Sequence, residues 1–105
     1  DGSFRRAFGS DVLTSPCAFD TYDGELIVPE LYARTTVFDE NDELVGHLGE
    51  NESVAETDTW PNVPDELIEA GKFNSPHDAA VDAEGNVYVA EWIVGGRITK
   101  LRRLD

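Results

Sequence analysis

The sequence contains no methionine, one cysteine and two histidines in 105 residues, and these shortages limit its chemistry. The single cysteine, Cys17, cannot form an intramolecular disulfide. No apolar run approaches the roughly 18 residues that a membrane-spanning helix needs. The chain also lacks a phosphate-binding glycine loop and a Cys-x-x-Cys pair. The enzyme classes that depend on those motifs are therefore not predicted.

Basic residues are scarce as well, since 8 Lys and Arg stand against 22 Asp and Glu, for a net charge of -14. Such a field repels phosphate backbones and anionic lipid surfaces, so we expect neither a nucleic-acid nor a membrane partner. A metal ion or a small cationic ligand is compatible with it. The same charge also explains solubility without any ligand.

The chain begins at Asp1 rather than Met and shows no signal-peptide pattern. We therefore expect a processed, excised or engineered piece, which would lack any targeting segment of its parent protein. A soluble protein is predicted, and a secreted or periplasmic parent protein is compatible with the sequence.

Two stretches of the chain resemble each other. Residues 15–38 read SPCAFDTYDGELIVPELYARTTVF, and residues 75–101 read SPHDAAVDAEGNVYVAEWIVGGRITKL. Identical residues stand at equivalent positions of the two stretches: Pro16 and Pro76, Gly24 and Gly85, Val28 and Val89, Glu30 and Glu91, Arg34 and Arg97. Two copies about 60 residues apart predict an array of repeated supersecondary units.

Each copy shows the pattern of short strands joined by tight turns. In the second copy, AAV and NVYVAE are separated by DAEG, in which Asp82 offers a side-chain turn bond and Gly85 a positive φ. GRITKLRRL then alternates, with Ile98 on one face and Leu101 on the other. The second copy thus predicts three antiparallel strands, and the first adds a fourth in DELVGHLG.

The fourth strand that the second copy lacks is predicted at the start of the chain. Residues 1–9, DGSFRRAFG, resemble residues 41–49, NDELVGHLG, in their turn residues, alternating strand and closing glycine. This circular offset is the arrangement expected for ring closure in a β-propeller.

We accordingly predict an all-β chain in which residues 1–105 form one unit of two four-stranded sheets. The linker is acidic at first and then holds VPDELIEAGKF, a predicted short helix with Pro64 in its first turn and Gly71 as its stop. The predicted segments are an outer strand (1–10), a complete sheet (15–49), an insertion with the short helix (50–74) and three inner strands (75–105).

The stretch PHDAAVDAEGNVYVAEW, followed by RITKL, resembles the NHL repeat, the blade of a family of six-bladed β-propellers. It has the Pro-[His/Cys] start, the Asp-x-x-Gly turn, the hydrophobic-Tyr-Val-x-[Asp/Glu] strand and the Arg-Ile-x-x-Leu strand of that family. The first copy departs by one fewer residue before its Asp-Gly turn. The resemblance implies the fold, while propellers of this family serve as enzymes, receptors and interaction platforms.

Two blades cannot close a ring, because the apolar faces and the outer edges of the sheets stay uncovered. The favoured interpretation is a homotrimer, in which three chains make one six-bladed ring with velcro closure. The N-terminal strand then completes the last blade of a neighbouring chain or of its own. The alternative is a fragment of a longer single-chain propeller. Head-to-tail contacts of a symmetric oligomer form a closed ring when the rotation from one chain to the next divides a full turn.

In such a propeller the inner strands line the channel, and several chemically distinctive side chains would meet at one mouth. We predict four ligand-binding residues and one metal ligand there, with Cys17 close by: Glu30, Tyr32, Glu91 and Trp92 for the ligand, and His77 for the metal. Three copies of His77 about the axis would offer the imidazoles that catalytic zinc sites use.

Plainer explanations accompany these assignments. His77 can bond backbone groups at the start of the repeat, the two glutamates can stabilise turns, and Cys17 can act as a small buried hydrophobe. Tyr32 and Trp92 can be packing residues. His47, in an outer strand, is expected to face solvent.

Two functions follow from different classes. The preferred one is a non-enzymatic, self-assembling scaffold or ligand-binding platform. The alternative is a metal-dependent lyase or hydrolase-like enzyme, or a fragment of one, with His77 as metal ligand. Residues 76–78, Pro-His-Asp, resemble the context of zinc-binding histidines in the peptidylglycine amidating lyases, which are propellers of this kind. That resemblance implies a transition metal such as zinc at the channel axis, although the other catalytic residues of the lyases have no assigned match.

Overall fold

The computed structural model describes residues 1–104, and its strands form two antiparallel sheets. The four-stranded sheet contains, in spatial order, β1 (Asp20–Tyr22), β2 (Glu25–Glu30), β3 (Arg34–Phe38) and β4 (Leu44–Leu48). The three-stranded sheet contains β5 (Pro76–Val81), β6 (Val87–Glu91) and β7 (Arg97–Leu101). The predicted all-β chain, with four strands in the first copy and three in the second, is confirmed. Asp105, the last residue of the predicted segment 75–105, lies outside the described residues.

The two sheets share their register as well as their strand order. In β2 and β3, Glu30 lies opposite Arg34. In β6 and β7, Glu91 lies opposite Arg97. The repeat therefore places its matching residues at matching positions of two separate sheets.

The main core lies between the two sheets, which pack face to face. Buried side chains from both sheets and from the linker meet there: Ile27, Val37, Phe73, Val87 and Val89. Successive side chains of a strand point to opposite faces. The alternating sequence pattern of β6 and β7 therefore indicates which of their residues face the other sheet. Full burial of such side chains contributes about 1.5–3 kcal/mol each.

The opposite face of the three-stranded sheet is open to solvent. Ile98 is 75% exposed, and Ala80 and Ala90 are exposed as well. On the four-stranded sheet the corresponding outer face holds Phe38, which is only 1% exposed. The ring of Phe8 covers Phe38 at a centroid distance of 5.5 Å. The N-terminal segment thus covers one outer face of the stack, and the other outer face has no such cover within residues 1–104.

Residues 1–9 contain no strand, so the outer strand predicted over residues 1–10 is not formed within the single chain. A strand requires the free edge of a neighbouring strand for its backbone hydrogen bonds. The segment instead lies along the four-stranded sheet, where Arg6 forms an ion pair with Asp42 at the β3–β4 turn.

The segments that precede the two sheets share a backbone hydrogen bond to a glycine carbonyl. The Leu13 amide donates to the Gly9 carbonyl at 2.8 Å, and the Phe73 amide donates to the Gly49 carbonyl at 2.9 Å. Gly49 has a φ of +60°, and a Cβ at that position would lie 2.6 Å from the Phe73 ring. Each sheet is therefore preceded by a glycine whose carbonyl accepts the backbone amide of a later apolar residue.

The linker between the sheets has little regular structure. It contains one helical turn, α1 (Glu52–Ala55), and a 3-10 turn at Asp65–Leu67. The helix predicted from Pro64 to Gly71 stops after that single turn because Ile68 adopts an extended conformation. A second small cluster joins the linker to the first sheet through Ala33, Val54 and Val63. No helix within residues 1–104 has the length and apolar character needed to cross a bilayer.

The turn between β5 and β6 matches its sequence signature. Oδ1 of Asp82 accepts the backbone amides of Glu84 and Asn86 at 2.9 Å each, and Gly85 has a φ of +86°. The side-chain amide of Asn86 donates to Oδ2 at 3.0 Å. Because Asn86 and the two backbone amides all donate to this carboxylate, they lower the pKa of Asp82 to about 2.

The β5–β6 turn is expected to be acid-sensitive. A carboxyl whose folded pKa lies below its unfolded value of about 3.9 stabilises the fold above that pH and loses the contribution as pH falls through the folded pKa. We therefore expect part of the fall in the thermal unfolding midpoint between pH 4 and pH 2 to disappear in Asp82→Asn. Asp58→Asn, an exposed change in the linker, serves as the control and should follow the wild type. Equal pH profiles for all three proteins would contradict the assignment.

Candidate functional site

A buried glutamate and an arginine form the same clamp at the end of each sheet, and we call the pairs Glu30–Arg34 and Glu91–Arg97 the Glu–Arg clamps. Each glutamate ends the second strand of its sheet, and each arginine begins the third strand. Both carboxylate side chains have no exposed surface. The clamps contain Glu30 and Glu91, two of the predicted ligand-binding residues, so they determine which of those residues a ligand could reach.

In the first clamp, Nε of Arg34 lies 2.7 Å from Oε2 of Glu30. Oε1 of Glu30 accepts the amide of Thr14 at 2.6 Å, and Thr36 donates its hydroxyl to Oε2. Burial alone raises the pKa of Glu30, but the hydrogen bonds from Arg34, Thr36 and the Thr14 amide outweigh it and leave the pKa below its ordinary value. The carboxylate is therefore ionised and fully engaged.

The second clamp repeats this arrangement. Arg97 pairs with Glu91 through Nε, and Oε1 of Glu91 accepts the amides of Asn74 and Ser75. Asn74 and Ser75 stand before Pro76 as Thr14 and Ser15 stand before Pro16.

Both arginines also hold the chain two residues further back. Nη2 of Arg34 donates to the Val12 carbonyl at 2.7 Å, and Nη2 of Arg97 donates to the Lys72 carbonyl at 2.6 Å. Each clamp thus fastens the segment that leads into its sheet. The repeat extends upstream to LTSP and FNSP, a similarity that the comparison of residues 15–38 with 75–101 did not include.

His47 belongs to the first clamp rather than to the solvent-facing surface that was expected for it. Its Nδ1 lies 2.8 Å from the Thr36 hydroxyl, and its Nε2 lies 3.4 Å from Nη1 of Arg34. Because Arg34 can only donate and Thr36 donates to Glu30, His47 donates through Nδ1 and accepts at Nε2. The outer strand β4 turns this side chain inward because Thr36 lies directly opposite it.

Cys17, His77 and Trp92 come together where the two sheets meet. The Cys17 thiol contacts the Pro76 carbonyl at 3.7 Å, next to His77. The rings of His77 and Trp92 have a centroid distance of 6.3 Å. The backbone of Trp92 is fixed by Ser75, whose carbonyl accepts the Trp92 amide at 2.9 Å. We call Cys17, His77 and Trp92 the mouth cluster, after the channel mouth that the sequence predicts.

His77 lies at an irregularity of the ladder between β5 and β6. Pro76 pairs with Glu91 and Asp78 pairs with Ala90, so His77 is the extra residue between two paired positions. A bulge of this kind re-aims a side chain and is frequent beside functional sites. His77 is exposed, as is Trp92 at 59%.

The environment of Cys17 does not activate its thiol. Burial raises the pKa of Cys17, and the neighbouring Glu30 charge raises it further, against a hydrogen bond with the Leu31 backbone that lowers it. A nucleophilic cysteine needs a lowered pKa. At neutral pH this residue therefore stays a thiol.

The predicted site residues thus separate into two groups. His77 and Trp92 are exposed and adjacent, and Tyr32 is exposed with its ring tilted against Trp60 at a centroid distance of 4.9 Å. Glu30 and Glu91 are enclosed in the clamps, so a ligand at the mouth would meet the aromatic rings rather than these carboxylates. Within residues 1–104 no group of three or more His, Cys, Asp or Glu side chains is placed to hold a metal ion.

Comparisons with protein families, with curated proteins and with solved structures returned no match for this chain.

Proposed function

We propose that the chain is a two-blade unit of an NHL-type β-propeller and assembles as a homotrimer into a six-bladed ring. The ring acts as a scaffold or as a ligand-binding platform at its channel mouth. The observation that carries this proposal is the repeated Glu–Arg clamp. A rotational array of blades requires repeated sheets that pack on each other face to face. The two sheets of this chain pack in this way, and each carries the same Glu–Arg clamp.

The exposed outer face of the three-stranded sheet supports continuation of the array. The three-stranded sheet exposes Ile98, Ala80 and Ala90 on its outer face. The four-stranded sheet keeps Phe38 on the face that points the other way, beneath the N-terminal segment. Head-to-tail contacts between such faces close into a ring when the rotation per step divides a full turn.

The mouth cluster supports the platform role. Trp92 and His77 present adjacent exposed rings, and a bulge aims His77 away from the ladder. The chain carries a net charge of -14, which attracts cations toward this surface. A small cationic ligand that packs on the aromatic rings is the chemistry that fits best.

The metal-dependent alternative needs several copies of the chain. One copy supplies His77 at the mouth, and residues 1–104 bring no three ligand side chains together. A zinc site on His77 would therefore require the symmetric ring, with one imidazole from each of three chains.

Native mass spectrometry tests the ring directly. We expect a species of three times 11.6 kDa, because the exposed outer face of the three-stranded sheet needs a partner face. Ile98→Glu should shift the population to the monomer, since it charges the exposed outer face. Leu67→Glu, the same kind of change in the linker, should leave the trimer intact. A wild-type protein that is monomeric at micromolar concentration would overturn the proposal.

A further inference from the structure

The three-stranded sheet has an open edge beside an apolar groove. Within residues 1–104, β7 pairs with β6 alone. The groove has a volume of about 500 Å³ and lies between the sheets, where β7 faces β3 and β4. Its apolar lining includes Val37, Leu48 and Leu101. An unpaired strand edge next to an apolar groove is a template for an added strand.

We infer that residues 4–8 of a second copy of this chain pair with β7 as its fourth strand. The inference rests on the proposed function, since it names the segment that joins one copy to the next. Residues 1–9 resemble residues 41–49 in their turn residues, their alternating pattern and their closing glycine, and residues 41–49 contain β4. The segment therefore carries the pattern of a strand that already occupies this place in the first sheet.

The register follows from the pairing of β3 with β4. There Thr35 lies opposite Leu48, Thr36 opposite His47, Val37 opposite Gly46 and Phe38 opposite Leu44. The repeat carries these pairs over to β7 and the second copy: Ile98 with Phe8, Thr99 with Ala7, Lys100 with Arg6 and Leu101 with Phe4.

This register gives both phenylalanines of the segment an apolar site. Phe4 is 84% exposed in the single chain. Opposite Leu101 it would point into the groove, because directly opposed side chains share one face of a sheet. Phe8 would cover the exposed Ile98. It would also keep its contact with Phe38 of its own chain, just as Leu48 packs on the core between the sheets.

A second copy fits this site better than the same chain does. The segment lies against Phe38, on the outer face of the four-stranded sheet. Val37, which points to the opposite face, lines the groove. The four-stranded sheet therefore stands between the segment and the β7 edge of its own chain. The next three-stranded sheet of a stack would instead lie directly beside the segment.

The charges of the strand pair are compatible with this placement. Arg6 and Lys100 would be opposed, which is unfavourable for like charges. Arg6 already forms a two-point ion pair with Asp42 of its own chain. Asp42 therefore brings a carboxylate to the junction and offsets part of the repulsion.

Disulfide trapping between two differently labelled chains tests the inference. Both chains carry Cys17→Ser; one also carries Ala7→Cys and the other Thr99→Cys. Opposed residues of an antiparallel pair lie about 4.5–5.5 Å apart at Cα, within the range of a disulfide. We expect mild oxidation of the mixture to give a covalent heterodimer on a non-reducing gel. A chain with Lys100→Cys replaces the Thr99→Cys chain in the control and should give at least about tenfold less product, because a one-residue slip turns the side chain to the other face.

The outcomes separate this inference from the ring itself. A trimer in native mass spectrometry without the heterodimer would overturn the strand exchange and leave the ring standing. A heterodimer without a closed trimer would support the strand exchange and overturn the ring. A chain carrying Cys17→Ser with both Ala7→Cys and Thr99→Cys that closes only on itself would overturn the choice of a second copy.

A second variant avoids new cysteines. Phe4→Ala should weaken self-association by about tenfold or more, as removal of a central interface side chain does. Phe4 is exposed in the single chain, so the circular dichroism spectrum of dilute protein should not change. Phe19→Ala, at another exposed phenylalanine (69% exposed), is the control. Equal association constants for the two variants would count against the inference.

Discussion

Glu30→Ala is expected to lower the free energy of unfolding by about 3–5 kcal/mol, because it removes one partner of a buried ion pair. Arg34 would keep only Glu50, whose side chain is 37% exposed, as its counterion. The amide of Thr14 and the hydroxyl of Thr36 would also lose their acceptor. Urea unfolding followed by tryptophan fluorescence measures the loss.

A matched surface pair shows whether burial is the cause. Asp42→Ala removes the carboxylate from another Arg–carboxylate pair, in which the Arg6 side chain is 56% exposed. Exposed ion pairs contribute little, so this variant should stay close to the wild type. If the two variants lose the same stability, the clamp is not the element that holds the segment to the sheet. Glu30→Gln should fall between them, since it keeps one of the two acceptor oxygens and removes the charge.

Phe73→Ala is expected to cost about 3–5 kcal/mol, the usual loss for a buried phenylalanine. The ring is 1% exposed, belongs to the core between the sheets and lies against the backbone of Gly49. Its removal opens a cavity where both sheets and the linker meet. Thermal unfolding of the variant gives the change.

Phe19→Ala is the control for that change, because Phe19 is 69% exposed. We expect its midpoint to remain within a few degrees of the wild type, as is usual for surface substitutions. A similar loss in both variants would mean that Phe73 is not a central element of the core.

The repeat made much of the fold predictable from the sequence. Gly24 and Gly85 marked turns, and Glu30 and Glu91 marked the ends of equivalent strands. Strand alternation is a local property, so β6 and β7 could be assigned to faces from GRITKLRRL and NVYVAE alone. The count of four strands and three strands followed from the same patterns.

The parts that sequence reasoning missed depend on contacts between distant residues. The sequence comparison matched Glu30 with Glu91 and Arg34 with Arg97. The spacing of four or six residues between glutamate and arginine does not by itself predict a buried ion pair. His47 was expected to face solvent because it lies in an outer strand. Its position is decided by Thr36, which lies opposite it in β3. Residues 1–9 carry a strand pattern, yet the single chain offers them no edge beside the face on which they lie.

The two short contacts Leu13–Gly9 and Phe73–Gly49 have a consequence for how such chains can change in length. Three residues separate the first glycine from its partner and 23 separate the second, yet the hydrogen bonds that close the two loops are 2.8 and 2.9 Å long. Because the entropy of closing a loop grows only slowly with its length, segments of very different size can be inserted at this point while both sheets keep their positions. The linker is thus a place where new sequence can be acquired without redesigning the sheets that it joins.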